Sequence, residues 1–532
     1  MANRFRTLAL AVGFCLLLGA LRADAQQTPY NPLFGGGDSP SRRGDGSRDQ
    51  DGNENNPARN QKMVDADKAQ QSGDFQHVID VTDEILRQNP HDSPAYYLRG
   101  SAKVELGVRQ GESKLIRDGV ADAREAIRYD SKRTAMYYLP YLHGMKNLAI
   151  LENRKEHAET AVTIATQILG VSGLANDDKA NLLFQRAQAE GWLGKTDQAV
   201  ADFEEALRLT PTHFGARAAL ADLLAASGKP DQAGAAYNKL VESFPESPLS
   251  YNNRGMFLQH QGKYDEAITD FTRAVERDPN YFYSYTNRGF TLLEMDNPTA
   301  AQPDFSQSLK LNPQQAFVYN LRGLAKLALG DLTGAIQDQR AAVEMNPKDA
   351  VARGDLGFLL LFANDFAAAI PEFDAALAID PQFRHLNPWK IVALKRLGKT
   401  DDLKAQFGES LKKDPKQRDW VDHLVAYLLD AESEADLLAA TADPKDPLKN
   451  DKMCEAEYFI AVTKEAGGKP AEAQEAYQRA VATKSRQLSA FRGAQFALKR
   501  ANTAAGPSAG VAIPTTGGKA ASNPITPTNA AK

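Results

Sequence analysis

Cysteine is almost missing from this chain. Two in 532 residues exclude a disulfide framework. Tryptophan is equally sparse at three, and aromatics reach 8% at a mean hydropathy of −0.46. This scarcity speaks against one large aromatic core and for many contacts between small-residue helices. A surplus of positive charge is also lacking: 63 Lys and Arg stand against 68 Asp and Glu, a net of −5. Without a basic surplus to gather phosphates, nucleic acid is not an expected partner. Strand-like alternation is absent. So are G-x-S-x-G, the phosphate loop G-x-x-x-x-G-K-[ST], and a G-x-G-x-x-G following a strand. The eight histidines include no H-x-x-x-H pair, and no C-x-x-C exists, so no metal or cofactor site is expected. Cys454 stands beside Glu455 and Glu457, whose charge disfavours a thiolate, and it reads as an inert thiol. No catalytic activity is expected.

What is present begins with an export signal. Arg4 and Arg6 precede an apolar run of 14 residues, Leu8 to Leu21, followed by Ala23-Asp24-Ala25. A positive start, a short apolar stretch and a small-x-small site make a secretory signal over residues 1–25, cleaved after Ala25. The run falls short of the about 20 residues a membrane span requires, so no integral span is expected after cleavage. Bulky Phe14 before Cys15 argues against lipid attachment there. Residues 26–60 (Gly, Asp, Asn, Ser, Pro) and 501–532 (Ala, Thr, Gly, Pro) cannot bury enough surface to offset ordering entropy, and read as a disordered linker and tail.

Between them lies a period of 34. Pro211, Pro245, Pro279, Pro313, Pro347, Pro381 and Pro415 are spaced by that interval, as are Gly255, Gly289, Gly323 and Gly357. Within one unit Gly255 is followed by Gly262, Tyr264, Ala267, Phe271, Ala274 and Pro279, and Gly323, Gly330, Ala335, Ala342 and Pro347 repeat the pattern. Small residues at 255 and 267 let two helix axes approach. Gly262 ends the first helix, and Asp278-Pro279 ends the second. A unit of this kind cannot bury its own apolar face and depends on its neighbours.

These residues resemble the tetratricopeptide repeat family. The resemblance implies an all-α, right-handed α-solenoid of about ten stacked helix-turn-helix units. Residues 61–177 would hold N-terminal repeat-like helices, 178–415 seven regular units, and 416–500 repeat-like helices ending in a cap over 487–500. It further implies that the first helix of each unit lines an inner groove. Mapped onto this chain, groove positions are Asn252, Asn253, Tyr283, Asn287, Phe317 and Asn320, with Met256, Phe290, Leu324 and Phe358 deeper. Members that bind peptides use asparagines on the backbone and lysines on a terminal carboxylate. The asparagines match; Leu321 and Asp355 occupy later inner positions, so a carboxylate clamp is not implied. The expected function is a non-catalytic adaptor of the bacterial cell envelope, periplasmic or secreted, binding proteins or peptides, envelope enzymes among them. The alternative is a self-assembling scaffold, a homodimer without peptide ligand.

One internal rule concerns charge. Arg254 is followed 16 residues later by Asp270, and Arg186/Asp202, Arg288/Asp304 and Arg322/Asp338 keep that offset. Arg99 and Asp122 keep it after a seven-residue insertion. Leu220 and Ala236 replace both members in one unit, while Leu356 faces Glu372 in another. Co-occurrence predicts an ion pair joining the two helices of a unit, setting register at about 0–1 kcal/mol if exposed.

Overall fold

The computed structural model describes residues 57–504 except Arg133, Asp402 and Gln487. The signal over 1–25 lies outside the described residues. All regular structure among the described residues is helical. The chain divides into two compact units. One holds the described residues to Leu329 with Gln337–Asn346, the other Gly330–Ile336 with the described residues from Pro347 onward.

The first unit is a succession of helix pairs: α1 (Pro57–Ser72) with α2 (Phe75–Gln88), α3 (Ser93–Gln110) with α4 (Ser113–Tyr129), and α5 (Tyr138–Glu152) with α6 (Lys155–Leu169). Then come α7 (Asn176–Trp192) with α8 (Thr196–Leu209), α9 (Phe214–Ala226) with α10 (Pro230–Ser243), and α11 (Pro248–His260) with α12 (Tyr264–Arg277). α13 (Phe282–Glu294) with α14 (Pro298–Leu311) and α15 (Ala316–Leu329) follow, before α16 (Leu332–Met345), which is shared between the units. The second unit continues with α17 (Ala350–Phe362), α18 (Phe366–Ile379), α19 (Asn387–Arg396), α20 (Leu403–Phe407), α21 (Glu409–Lys412), α22 (Trp420–Leu428) and α23 (Glu434–Ala439). It ends with α24 (Lys449–Ala466), α25 (Pro470–Ala482) and α26 (Ser489–Ala504). This repeating arrangement is the expected α-solenoid.

Two boundaries differ from expectation. The linker was expected to reach residue 60, yet α1 opens at Pro57, whose fixed φ and missing N–H suit a first helical position. Arg59 then clamps Asp92 through two hydrogen bonds of 2.7 and 2.9 Å, tying that turn to the next pair. The tail was expected from 501, yet α26 runs to Ala504, because Ala501 and Ala504 are good helix formers.

Backbone and side chain follow the period together. The turn between first and second helix requires a left-handed residue at 194, 228, 262, 296, 330, 364 and 398, all at positive φ. Glycine fills five of these sites, Gly262 at +72° among them. Asp296 and Asn364, both at +60°, fill the other two with side chains that tolerate the conformation best. The glycine of the first helix is a seat for a phenylalanine of the second. A Cβ at Gly255 would stand 2.7 Å from the Phe271 ring, at Gly289 2.9 Å from Phe305, and at Gly357 2.5 Å from Phe373. All three rings are fully buried.

The charge rule is present and extends further than its spacing indicates. Arg254 donates to Asp270 at 2.7 and 2.8 Å, Arg288 to Asp304 at 2.8 and 2.7 Å, and Arg322 to Asp338 at 2.9 and 2.7 Å. Arg99 and Arg186 clamp Asp122 and Asp202 likewise. The third nitrogen of each arginine turns back to the second helix of the preceding unit, where it meets Asn238 at 3.1 Å, Thr272 at 3.1 Å and Ser306 at 3.4 Å. One guanidinium therefore ties three helices. Its carboxylate is not exposed: the side chains of Asp270, Asp304 and Asp338 keep only 3, 9 and 5% of their surface. The estimate of about 0–1 kcal/mol for exposed pairs is therefore too small for the loss of one partner. Of the two units that lack the standard arginine, the one with Leu356 pairs Arg353 with Glu372 at 2.8 Å instead.

Candidate functional site

The predicted groove residues sit on three first helices of the first unit: Asn252 and Asn253 on α11, Tyr283, Asn287 and Phe290 on α13, Phe317 and Asn320 on α15. Asn252, Tyr283 and Asn287 are buried. The Asn252 side-chain oxygen accepts from Asn287 Nδ2 at 2.9 Å and from Ser284 Oγ at 3.4 Å. These two amides thus form a rung between neighbouring first helices. The Tyr283 ring lies 4.0 Å from that of Phe282 and 5.5 Å from that of Tyr281, and Phe317 packs against the same cluster.

Asn253, Phe290, Phe317 and Asn320 remain partly exposed. Phe290 and Phe317 rest on a core of Ala301, Phe305, Leu309, Val318, Leu321 and Ala325. Met256, Phe290 and Leu324, 34 residues apart, are each partly exposed, one on each first helix. Arg254, Arg288 and Arg322 are committed to aspartates, and their pKa values rise above the ordinary arginine value chiefly through those hydrogen bonds. What this row presents is apolar and amide chemistry.

Phe358 has another place. In the second unit the first-helix faces are filled by the protein's own aromatics. Phe358 lies 4.7 Å from Trp389 of α19, and Trp389 lies 4.8 Å from Tyr458 and 5.0 Å from Phe459 of α24. The terminal helix, expected as a polar cap, packs on α24 and α25 and also on α17, where Phe496 stacks on Phe362. Sequence spacing could not foresee this contact, because residues 416–453 break the period that would have set its register.

A second polar cluster escaped notice in the sequence. Glu105 of α3, His143 and Lys146 of α5, and Gln185 of α7 are buried together, with His143 Nε2 3.6 Å from Glu105 Oε1. Burial drives each titratable member toward its neutral form: Glu105 upward, Lys146 and His143 downward. Histidine and lysine three apart on an otherwise buried helix were the available signal. Cys454 is buried, and burial pushes its thiol up to about 12. Among the described residues no group of three or more His, Cys, Asp or Glu is placed to hold a metal ion, and no helix is long and apolar enough to cross a membrane.

Two family models described as tetratricopeptide repeat match the chain, one at 184–248, 218–282 and 286–350, the other at 326–402. Residues 184–402 carry tetratricopeptide repeats. Among solved structures it is similar to pilF of Pseudomonas aeruginosa, at 25% identity over 45% of this chain and 100% of that one, TM-score 0.34. It is similar to a tetratricopeptide repeat protein of Parabacteroides merdae at 20% identity, over 50% of this chain and 99% of that one, TM-score 0.32. It is also similar to MamA of Desulfovibrio magneticus RS-1 at 23% identity, over 31% of this chain and 96% of that one, TM-score 0.29. No curated protein matches. Tetratricopeptide repeats serve protein–protein interaction, and proteins built from them are in general non-catalytic adaptors.

Proposed function

We propose that this chain is an exported adaptor that binds a protein or peptide segment along the first helices α11, α13 and α15. The observation that supports the reading is the row Met256, Phe290 and Leu324. It offers one partly exposed apolar side chain per repeat, at constant spacing, beside Asn253 and Asn320. A partner crossing the helices meets an apolar anchor at each repeat and amides that can bond its backbone between anchors. The buried rung Asn252–Asn287 and the packed Tyr283 ring hold the helices at that spacing. Partly exposed aromatics such as Phe290 and Phe317 make rigid anchors that lose little entropy on binding. Export rests on residues 1–25 and places the partner in the cell envelope.

The test is site-directed photocrosslinking in cells with the crosslinker at 253, 290 or, as control, at exposed Glu276 on the second helix α12. The expected result is one protein captured from the periplasmic fraction at 253 and 290 and not at 276, with capture at 253 lost on Phe290→Ala. Capture at all three positions alike, or of this chain alone, refutes the groove reading, the latter in favour of a self-assembling scaffold.

A further inference from the structure

Two repeats put leucine where the clamp arginine would stand, and each then carries an arginine one turn earlier: Arg217 before Leu220, Arg353 before Leu356. Where the clamp arginine is present, that earlier place holds Leu183, Tyr251, Tyr285 or Tyr319. The two early arginines lie four periods apart and share one contact. Arg217 Nη2 donates to the Pro211 carbonyl at 2.9 Å, and Arg353 Nε donates to the Pro347 carbonyl at 2.9 Å. They part company at the carboxylate. Arg353 Nη1 donates to Glu372 of α18 at 2.8 Å. Four periods before Glu372 stands Ala236 of α10, which has nothing to offer. Arg217 Nε is buried and meets no acceptor among the described residues. Burial alone acts on the Arg217 pKa and lowers it, whereas aspartates raise those of Arg254, Arg288 and Arg322. Arg217, Leu220 and Ala236 are all partly exposed, so the gap opens to water.

We propose that this gap on α9 and α10 is a docking point for an acidic side chain of a partner protein, whose carboxylate pairs with Arg217 as Glu372 pairs with Arg353. The chain supplies its own template for the ligand. Relative to Ala236, Glu372 adds one methylene and a carboxylate, which is the end of an aspartate or glutamate side chain. The gap is distinct from the row on α11, α13 and α15 and does not rest on that reading. The place of Met256 is taken in α9 by Asp222, five residues from Arg217, which is about 140° of helix rotation away.

Magnitude decides what carries the carboxylate. A half-exposed ion pair strengthens binding by about fivefold at most, so a small free acid is not retained. The carboxylate has to arrive on a body held by other contacts as well, and there the pair sets register and excludes a partner without the acid.

Phenylglyoxal modification of the whole folded chain, mapped by mass spectrometry, reads each guanidinium. Arg217 is expected to react at least about fivefold faster than Arg353, whose pair shields it. In Ala236→Glu it is expected to slow to the Arg353 rate, and in Ala236→Gln to stay fast. Because a pair of this strength does not hold a free acid, about 10 mM propionate is expected to leave the Arg217 rate unchanged. The partner's half is read with Arg217→Lys, whose amine a carbodiimide joins only to a carboxylate in contact with it. In cell extract the expected product links position 217 to an Asp or Glu of another protein. With Ala236→Glu added, that product is expected to give way to an internal link between 217 and 236. An Arg217 rate equal to that of Arg353, or unchanged by Ala236→Glu, overturns the proposal and needs no partner to be known. Protection by propionate overturns it in favour of a small acid. A link from 217 only to carboxylates of this chain, within one copy or between two, or no link at all, overturns it as well.

Discussion

The arginine ladder makes a prediction whose size follows from burial. In Arg288→Leu, Asp304 loses both hydrogen bonds of its clamp while its side chain stays more than nine-tenths buried. Removing one partner of a buried pair costs about 3–5 kcal/mol, and the partly exposed guanidinium places this case near about 2–3 kcal/mol. Loss of the bond from Arg288 to Thr272 loosens the preceding unit as well. In Arg288→Leu with Asp304→Ala no carboxylate is left stranded, and the expected cost falls below about 1 kcal/mol. The chain carries its own precedent: Leu220 and Ala236 hold these two places in one unit, and Leu220 packs against a core containing Phe214, Tyr237 and Leu240. Urea unfolding followed by circular dichroism, with hydrogen exchange across α13 and α14, measures both variants. A double variant as unstable as Arg288→Leu would show that the stranded carboxylate is not the cause, and the reasoning would fail.

Two further outcomes are expected. His213 caps α9: its Nδ1 accepts from the Ala216 N–H at 3.1 Å, while Nε2 meets Asn181 Oδ1 at 3.2 Å. Burial lowers its folded pKa to about 4, below the unfolded value of about 6.5. The native state therefore refuses a proton that the unfolded chain accepts. Its contribution is full above about pH 6.5 and is lost between there and about pH 4, on the order of 2–3 kcal/mol. His213→Asn keeps a capping oxygen, so the urea midpoint of that variant should fall less than that of the wild type from pH 7 to 4.5; parallel curves contradict the assignment. Gly357→Ala drives a methyl to 2.5 Å from the buried Phe373 ring and should cost about 1–3 kcal/mol, seen as a lowered thermal midpoint, whereas a neutral effect would show that the ring can yield.

Much of the fold was legible because the period is strict. Proline and glycine at 34-residue spacing announce helix ends, and the offset of 16 between Arg254 and Asp270 announces a side-chain pair. The site was less legible. Sequence placed Asn252, Asn253 and Asn287 together as groove residues, but the 2.9 Å bond between the first and the last turns two of them inward, leaving Asn253 toward solvent. That distinction depends on helix rotation, which a spacing rule leaves open. The third bond of each arginine was missed for a related reason: its acceptors are Asn238, Thr272 and Ser306, which share no residue type.

By itself the sequence determined helix, turn and repeat, since these depend on local backbone preference and on contacts at fixed separation along the chain. Only tertiary structure decided which faces stay open. The row on α11, α13 and α15 keeps apolar side chains partly in water, while Trp389, Tyr458 and α26 cover the equivalent surface of α17. Covering that face with α26 requires residues more than a hundred positions apart to meet, Phe362 and Gly493 among them, and no periodicity encodes that meeting.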